Sequence, residues 1–251
     1  MLTSHRRHLL LEKLGREGQI SATALSRELD VSEDTIRRDL RELAQKGLLQ
    51  RVHGGALPAS PAIVDFVGRQ AISTESKVAL GRAAAKMIEP GQVVIFDGGT
   101  TTLQAARHLA WDLRATIVTH SPTIAVELAT HPNIEVVLLG GRLFKHSVVA
   151  VGAATIEAIS RIRADVYFMG VTGVHPTAGL STGDLEEAHV KRALSASAAE
   201  TLVLASPEKL NAASPFLIAP IREATEIVVL KDTPPEATRE FERMGISVVR
   251  V

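Results

Sequence analysis

The sequence predicts an α/β protein in two units: a small helical unit ending in a hairpin, then a larger parallel-sheet domain. Two patterns and a break between them predict it. From Glu75 onward, continuous apolar runs rich in β-branched residues alternate with helical stretches, the pattern of a largely parallel sheet covered on both faces. Residues 1–57 hold three short helical stretches and then alternate toward a Gly-Gly turn. Between the two, Pro58, Ser60 and Pro61 interrupt the periodicity, which places a linker over residues 58–74, with some helix from Asp65.

In the first unit, Leu9, Leu10, Leu11 and Leu14 give Ser4 to Glu17 an apolar side, with Gly15 and Gly18 as stops. Gln19 to Ser21 is extended. Ser21 caps a second helix that packs Leu25 and Leu29. Asp30 and Val31 turn the chain into a third helix, ending at Gly47. Its Ser32 is a good N-cap, and Glu33 and Asp34 suit the positive end of the helix dipole. Ile36, Leu40 and Leu43 form its buried stripe; Asp34, Arg38, Arg41 and Gln45 lie opposite, flanked by Thr35 and Arg37. Guanidinium forks match guanine edges and phosphates. Alone, such a helix is an ordinary solvated surface element. Its neighbours alter that reading. Leu48 to Val52 followed by His53-Gly54-Gly55 is a hairpin with Arg51 and His53 near its tip. Three helices and a hairpin outline a winged helix-turn-helix. In that geometry the third helix enters the major groove of double-stranded DNA and the wing reaches the backbone or minor groove.

In the second unit the strands are Val93 to Asp97, Thr116 to Thr119, Glu135 to Gly140, Asp165 to Gly170, Thr201 to Ala205, Glu226 to Leu230 and Ser247 to Val251. Helices fall at Glu75 to Ile88, Thr102 to Leu109, Thr123 to Thr130, Ala153 to Ser160, Leu185 to Ala199 and Glu236 to Met244. This is a Rossmann-like layout, and such sheets bind ligands beyond the carboxyl ends of their strands. Residues that follow strands are therefore the candidate ligand contacts. Asp97-Gly98-Gly99-Thr100-Thr101-Thr102 opens a helix with two glycines and three hydroxyls, a cradle for phosphate or carboxylate. No Gly-Lys-Ser/Thr follows, so it is not a Walker loop. His120 and Ser121 follow the second strand, and Gly141 and Arg142 the third. A second glycine-rich loop, Gly179 to Gly183, leads to Asp184, Glu186, Glu187 and Lys191, and Lys209 follows the fifth strand.

Composition narrows the function classes. There are no cysteines in 251 residues, which excludes disulfides, thiolate metal ligands and a cysteine nucleophile. Formal net charge is +0, so DNA binding must rest on a local patch. The N-terminus lacks a signal-peptide pattern and no apolar run spans a bilayer, so a cytoplasmic protein with no membrane partner is expected. His5 and His8 share a helix face, but the other histidines lack metal-ligand spacing; no metal and no cofactor are expected.

The block VSEDTIRRDL (Val31 to Leu40), a Gly47-Leu48 step and RVHGGA (Arg51 to Ala56) at fixed distance resemble the N-terminal domain of the DeoR family of bacterial sugar-metabolism repressors. The resemblance implies DNA contact by Ser32, Thr35, Arg37, Arg38, Arg51 and His53; Arg41 joins them from the helical wheel. The second unit resembles that family's effector domain, whose fold is akin to ribose-phosphate isomerases and glucosamine-phosphate deaminases. It implies that Gly99, Thr100, Thr101 and Thr102 hold a sugar phosphate and that Lys191 and Lys209 hold the ligand or its phosphate. Gly98 stands where the family often has Ser, His120 where Asn is usual, and Ser206 where Asp is common. These departures bear on which ligand is bound.

Two functions fit. One is a repressor of carbohydrate catabolic genes, released from operator DNA by a phosphorylated sugar or polyol. Such a repressor is expected to be a dimer or tetramer, because one winged unit covers too little duplex for selective binding. The other is a sugar-phosphate isomerase or deaminase with an accessory helical domain. It would need a base beside a carbonyl, for which Asp97, Asp184, Glu186 and Glu187 are candidates, with Lys191 as electrophile. Asp97 has a second reading as the residue that orients its loop, and Asp184 as a helix cap. The winged unit favours the regulator over the enzyme.

Overall fold

The computed structural model describes residues 2–60 and 64–251; Pro61, part of the expected break, lies outside them. The first unit consists of α1 (Thr3–Glu17), β1 (Ile20–Ser21), α2 (Ala22–Glu28), α3 (Glu33–Gln45), β2 (Leu49–Val52) and β3 (Gly55–Pro58). Helix α1 runs through Gly15, where a stop is expected, and ends at Gly18 in the left-handed region, φ 71°. A lone interior glycine costs about 1 kcal/mol. Burial of Leu10 and Leu14 on the same helix outweighs it, at about 1.5–3 kcal/mol for each side chain. Ser21 and Ser32 cap α2 and α3 by accepting from the amides of Ala24 and Thr35. Leu10, Leu14, Leu25, Ile36, Leu40, Leu43 and Leu49 share one small core. Charge joins α1 to α3 as well: buried Asp39 accepts from Arg6 Nε at 2.5 Å and Arg7 Nε at 2.8 Å. The strands form an antiparallel sheet in the order β1-β3-β2, with β2 and β3 as the wing hairpin. A Cβ at Gly55 would lie 1.9 Å from the Ile20 carbonyl oxygen, so this close crossing requires glycine.

The second unit begins with α4 (Phe66–Gln70), α5 (Thr74–Ala85), β4 (Val93–Phe96), α6 (Thr100–Arg107), β5 (Ala115–Thr119), α7 (Pro122–Leu128) and β6 (Ile134–Leu138). It continues through β7 (Arg142–Phe144), β8 (Val149–Val151), α8 (Ala153–Ile159), β9 (Ala164–Met169), β10 (Gly173–His175) and β11 (Gly179–Thr182). It ends with α9 (Leu185–Ala196), β12 (Ala198–Leu204), β13 (Phe216–Ala219), β14 (Glu226–Val229), α10 (Pro235–Arg243) and β15 (Ser247–Arg250). Seven strands form one parallel sheet in the order β15-β14-β12-β9-β4-β5-β6. Strand residues alternate between two cores, one on each face. Val166 and Phe168 of β9 enter one, Tyr167 and Met169 the other.

The chain starts at the centre of this sheet with β4, builds β5 and β6 on one side, then crosses to lay β9 on the other. The order therefore reverses between β4 and β9. A crevice opens beyond the carboxyl ends of such a strand pair.

Several segments differ from expectation: β7, β8, β10 and β13 are short strands where none is expected. Gly179 to Gly183 is not a loop: Gly179–Thr182 is a strand between β10 and β13 in a small antiparallel sheet. Four residues flanked by glycines at 179 and 183 carry too little periodicity to reveal it. The later part of the expected linker also packs on the sheet domain. Phe66 enters its core, and the Phe66 amide donates to His146 O at 2.7 Å. Among the described residues no helix is long and apolar enough to cross a membrane.

Candidate functional site

Beyond the ends of β4 and β9 lies a cleft lined by Gly98, Gly99, Thr100, Thr101 and Thr102 from one loop and Gly170, Val171 and Thr172 from the other. Thr100 begins α6, so the free amides of its first turn and its partial positive charge face this region. Lys191 from α9 and Lys209 from the turn after β12 reach the same cleft. The structure thus brings together Gly98 through Thr102, Lys191 and Lys209.

Asp97, His120, Ser121 and Gly141, also expected as ligand contacts, do not line the cleft. Asp97 is fully buried behind it, where its carboxylate meets five polar partners. Its Oδ1 receives the Gly98 amide at 2.8 Å and faces His120 Nε2 at 2.8 Å. Its Oδ2 receives Tyr167 Oη at 2.6 Å, the Gly170 amide at 2.8 Å and Lys191 Nζ at 2.7 Å. One carboxylate thus ties the β4 loop, the β9 loop and α9 into a fixed frame. Burial would raise its pKa, but Lys191 and His120 outweigh burial and hold it well below the usual carboxylate range. The same surroundings, burial first and Asp97 second, push the Tyr167 hydroxyl up. His120 Nδ1 lies 2.8 Å from Ala150 O, which anchors β8 to the end of β5. Ser121 turns into α7, where its hydroxyl meets Thr123 Oγ1 at 2.7 Å, and Gly141 packs against Thr155. Serine at position 98 would require Val149 to move: a Cβ there would lie 2.0 Å from Val149 Cγ1.

Thr182 and Glu187, from the second glycine-rich segment, also line the cleft, as do Arg69, Lys77, Ser147 and Glu208, which escaped the sequence reading. One signal was available. Lys77 shares the buried face of α5 with Leu80 and Ala84, an unusual place for an ammonium group. Lys77 Nζ donates to Arg69 O at 2.6 Å, and Arg69 reaches Ser147 Oγ at 3.2 Å. Lys209 donates to Thr101 Oγ1 at 3.2 Å. Burial lowers its pKa to about 8; Glu208 opposes the shift, and Lys77, Arg69 and Lys191 add to it. Lys191 is paired with Asp97 at 2.7 Å and Lys77 lies 4.0 Å from Glu208. With Arg69 and Lys209 added, the cations lining the cleft outnumber its carboxylates, Glu187 and Glu208, and an anion would offset that excess.

Of the candidate bases for isomerisation, Asp97 orients its loop and Asp184 caps α9 by accepting the Glu187 amide at 3.0 Å. Only Glu187 among them lines the cleft.

On α3, Thr35, Arg38 and Arg41 recur at three-residue spacing along one strip. Arg38, Arg41, Arg51 and His53 are exposed. Arg37 is committed locally, 2.6 Å from Glu33 and 3.7 Å from Asp34. Ser32 both caps the helix and shares a hydrogen bond with Thr35 Oγ1 at 2.9 Å. Among the described residues, Arg38 and Arg41 make no ion pair that would hold them back from a phosphate or base. Arg38→Ala should leave the fold intact and weaken operator binding by about 1–3 kcal/mol, measured by fluorescence anisotropy. Wild-type affinity from the folded variant would place another face of α3 in the groove. Arg51→Ala should weaken specific and nonspecific duplexes alike and flatten the salt dependence by about one unit. A change confined to sequence preference would make Arg51 a base reader.

A winged helix-turn-helix joined to a sheet domain with a cationic cleft defines a ligand-responsive DNA-binding regulator. Residues 6–61 match the DeoR-like helix-turn-helix domain and residues 72–231 the DeoR C terminal sensor domain. The chain belongs to the DeoR family, whose members are transcriptional regulators rather than enzymes. It is similar to the HTH-type transcriptional regulator GlpR of Haloferax volcanii, 34% identical over 99% of this chain and 98% of that one. It is also similar to the glycerol-3-phosphate regulon repressor of Escherichia coli, 33% identical over 77% of each chain. Among solved structures, ribose 5-phosphate isomerase A from Methanocaldococcus jannaschii shares 18% identity over 54% of each chain, with a TM-score of 0.41.

Proposed function

We propose that this regulator represses carbohydrate catabolic genes in the cytoplasm and is released from operator DNA by a phosphorylated sugar or polyol bound in the cleft between β4 and β9. The observation that carries the reading is the convergence of Lys209, Lys77, Arg69 and Lys191 on the N-terminal turn of α6. A neutral sugar would leave that field unbalanced. The cleft also offers hydroxyl partners at Thr172 and Thr182 and a carboxylate at Glu187, groups suited to the rest of a polyol. The relative named for a glycerol-3-phosphate regulon fits this ligand class. A dimer or tetramer would present paired winged units to a two-fold operator.

Calorimetric titration of the full chain tests the binding step. Sugar and polyol phosphates should bind and their unphosphorylated counterparts should not; binding by the free sugars alone would refute the anion site. The pH dependence follows from Lys209. Below about pH 8 the ammonium is charged and ready for the phosphate. Above that, binding must first restore its proton, so affinity should fall by up to about tenfold per pH unit. Below about pH 6 the ester loses its second charge, which sets the other limb. Affinity that stays flat from pH 7.5 to 9.5 would remove Lys209 from the phosphate contact.

A further inference from the structure

One wall of the cleft leads directly to the wing. Thr172, which lines the cleft, places Oγ1 2.6 Å from Ser214 Oγ. Ser214 Oγ lies 2.5 Å from Ser60 Oγ, and both serines are buried. Ser60 is only two residues past Pro58, the last residue of wing strand β3. The backbone follows the same route: the Ala213 amide donates to Pro58 O at 3.3 Å, and Ala59 pairs with Ala213. Ser214 is itself fixed by its amide, which donates to Ser181 Oγ at 2.9 Å, while Ser181 O accepts from the Thr172 amide at 3.0 Å.

We propose that Ser214 is a positioning residue that couples occupancy of the cleft to the wing through the chain Thr172–Ser214–Ser60. The inference rests on the anion-effector reading above. Each hydroxyl has one proton to donate and lone pairs to accept with. Thr172 Oγ1 faces Ser181 O, an acceptor only, at 3.3 Å, and Ser214 Oγ on its other side. If a ligand oxygen takes the Thr172 proton, Ser214 must donate to Thr172 and Ser60 to Ser214. A ligand hydroxyl that replaces Ser214 as donor to Thr172 leaves the Thr172 proton to Ser214, and the order then runs the other way. Either arrangement sets the direction of a buried chain that reaches the segment following β3. Buried hydroxyls are costly to leave unpaired, so a reordered chain acts on Ser60 and its neighbours. Strand β3 is central in the wing sheet, pairing with β1 and β2, and Ala56 stands opposite Arg51. A shift at Ala59 and Ser60 therefore acts on the strand that positions a candidate DNA contact. Ligand binding would favour a wing position less suited to DNA, the differential affinity that release requires.

The test uses the full chain, an operator duplex selected from a random pool, and a panel containing glycerol 3-phosphate, ribose 5-phosphate and inorganic phosphate. Ser214→Ala breaks the chain at its centre. Ser60→Ala breaks it at the wing end and leaves the cleft wall untouched. Both variants should bind operator and phosphate within about threefold of wild type. Concentrations that weaken wild-type operator binding by about tenfold should weaken theirs by less than about threefold. If wild type is released and both variants are released equally, the coupling is wrong and the anion site stands. If no member of the panel releases wild type, the anion reading fails and the coupling falls with it. Loss of operator binding by both ligand-free variants also overturns the proposal, because the contact would then maintain the fold rather than the response.

Discussion

Asp97→Ala should destabilise the sheet domain by about 3–5 kcal/mol, the loss typical of removing one partner from a buried ion pair. The carboxylate is the shared acceptor for Lys191, Tyr167 and two loop amides and lies against His120 Nε2. Its removal leaves a buried ammonium and a buried phenol without their acceptor. Urea unfolding of the full chain, followed by circular dichroism, measures the loss; a cost under about 1 kcal/mol would mean that the frame does not depend on this residue. The pH dependence has a definite sign. A carboxylate held below its ordinary pKa contributes stability that is present above about pH 4 and lost as pH falls below it. Asp97→Ala should therefore flatten the acid limb of the stability curve.

A phosphate that binds only the folded chain should add about 2.7 kcal/mol of stability at a hundredfold excess over its dissociation constant. Lys209→Ala should lose most of that increment. Its effect on the unliganded chain should be small, under about 1 kcal/mol, because Lys209 is charged there at the cost of burial and of three neighbouring cations. Thermal or urea unfolding with and without the phosphate separates the two effects. Undiminished stabilisation of Lys209→Ala would move the phosphate elsewhere in the cleft. Lys209 is a better probe than Lys191, whose truncation also strands Asp97 in the core.

Much of this architecture was legible in residue pattern. All seven strands of the parallel sheet are apolar runs in the sequence; the inner strands are covered on both faces and need continuous Val, Ile and Leu, while the edge strands β6 and β15 are partly exposed. The Gly98 to Thr102 turn was legible for the same kind of reason: a glycine pair opening a helix after a strand has a limited set of uses. What pattern could not supply was pairing. Lys191 reads in the sequence as a contact to the ligand, yet here it bonds a carboxylate 94 residues away. His120 and Ser121 follow a strand as ligand contacts do, but they point into the frame behind the loop. Arg69 lay in a stretch without periodicity and reached the cleft through tertiary packing alone. Asp39 carried a signal, since it falls at i+3 from Ile36 on the buried side of α3. A carboxylate there needs cations, and Arg6 and Arg7 supply them.

The central claim is that an anion in the cleft controls the grip on DNA. Its most direct measurement is operator anisotropy with wild type and Lys209→Ala across sugars, polyols and their phosphates. Both proteins should bind the duplex equally well without ligand. At least one phosphate should release wild type and leave Lys209→Ala bound at the same concentration, and no free sugar should release either. Release by a free sugar with no response to any phosphate, or full release of Lys209→Ala alongside wild type, would contradict the account.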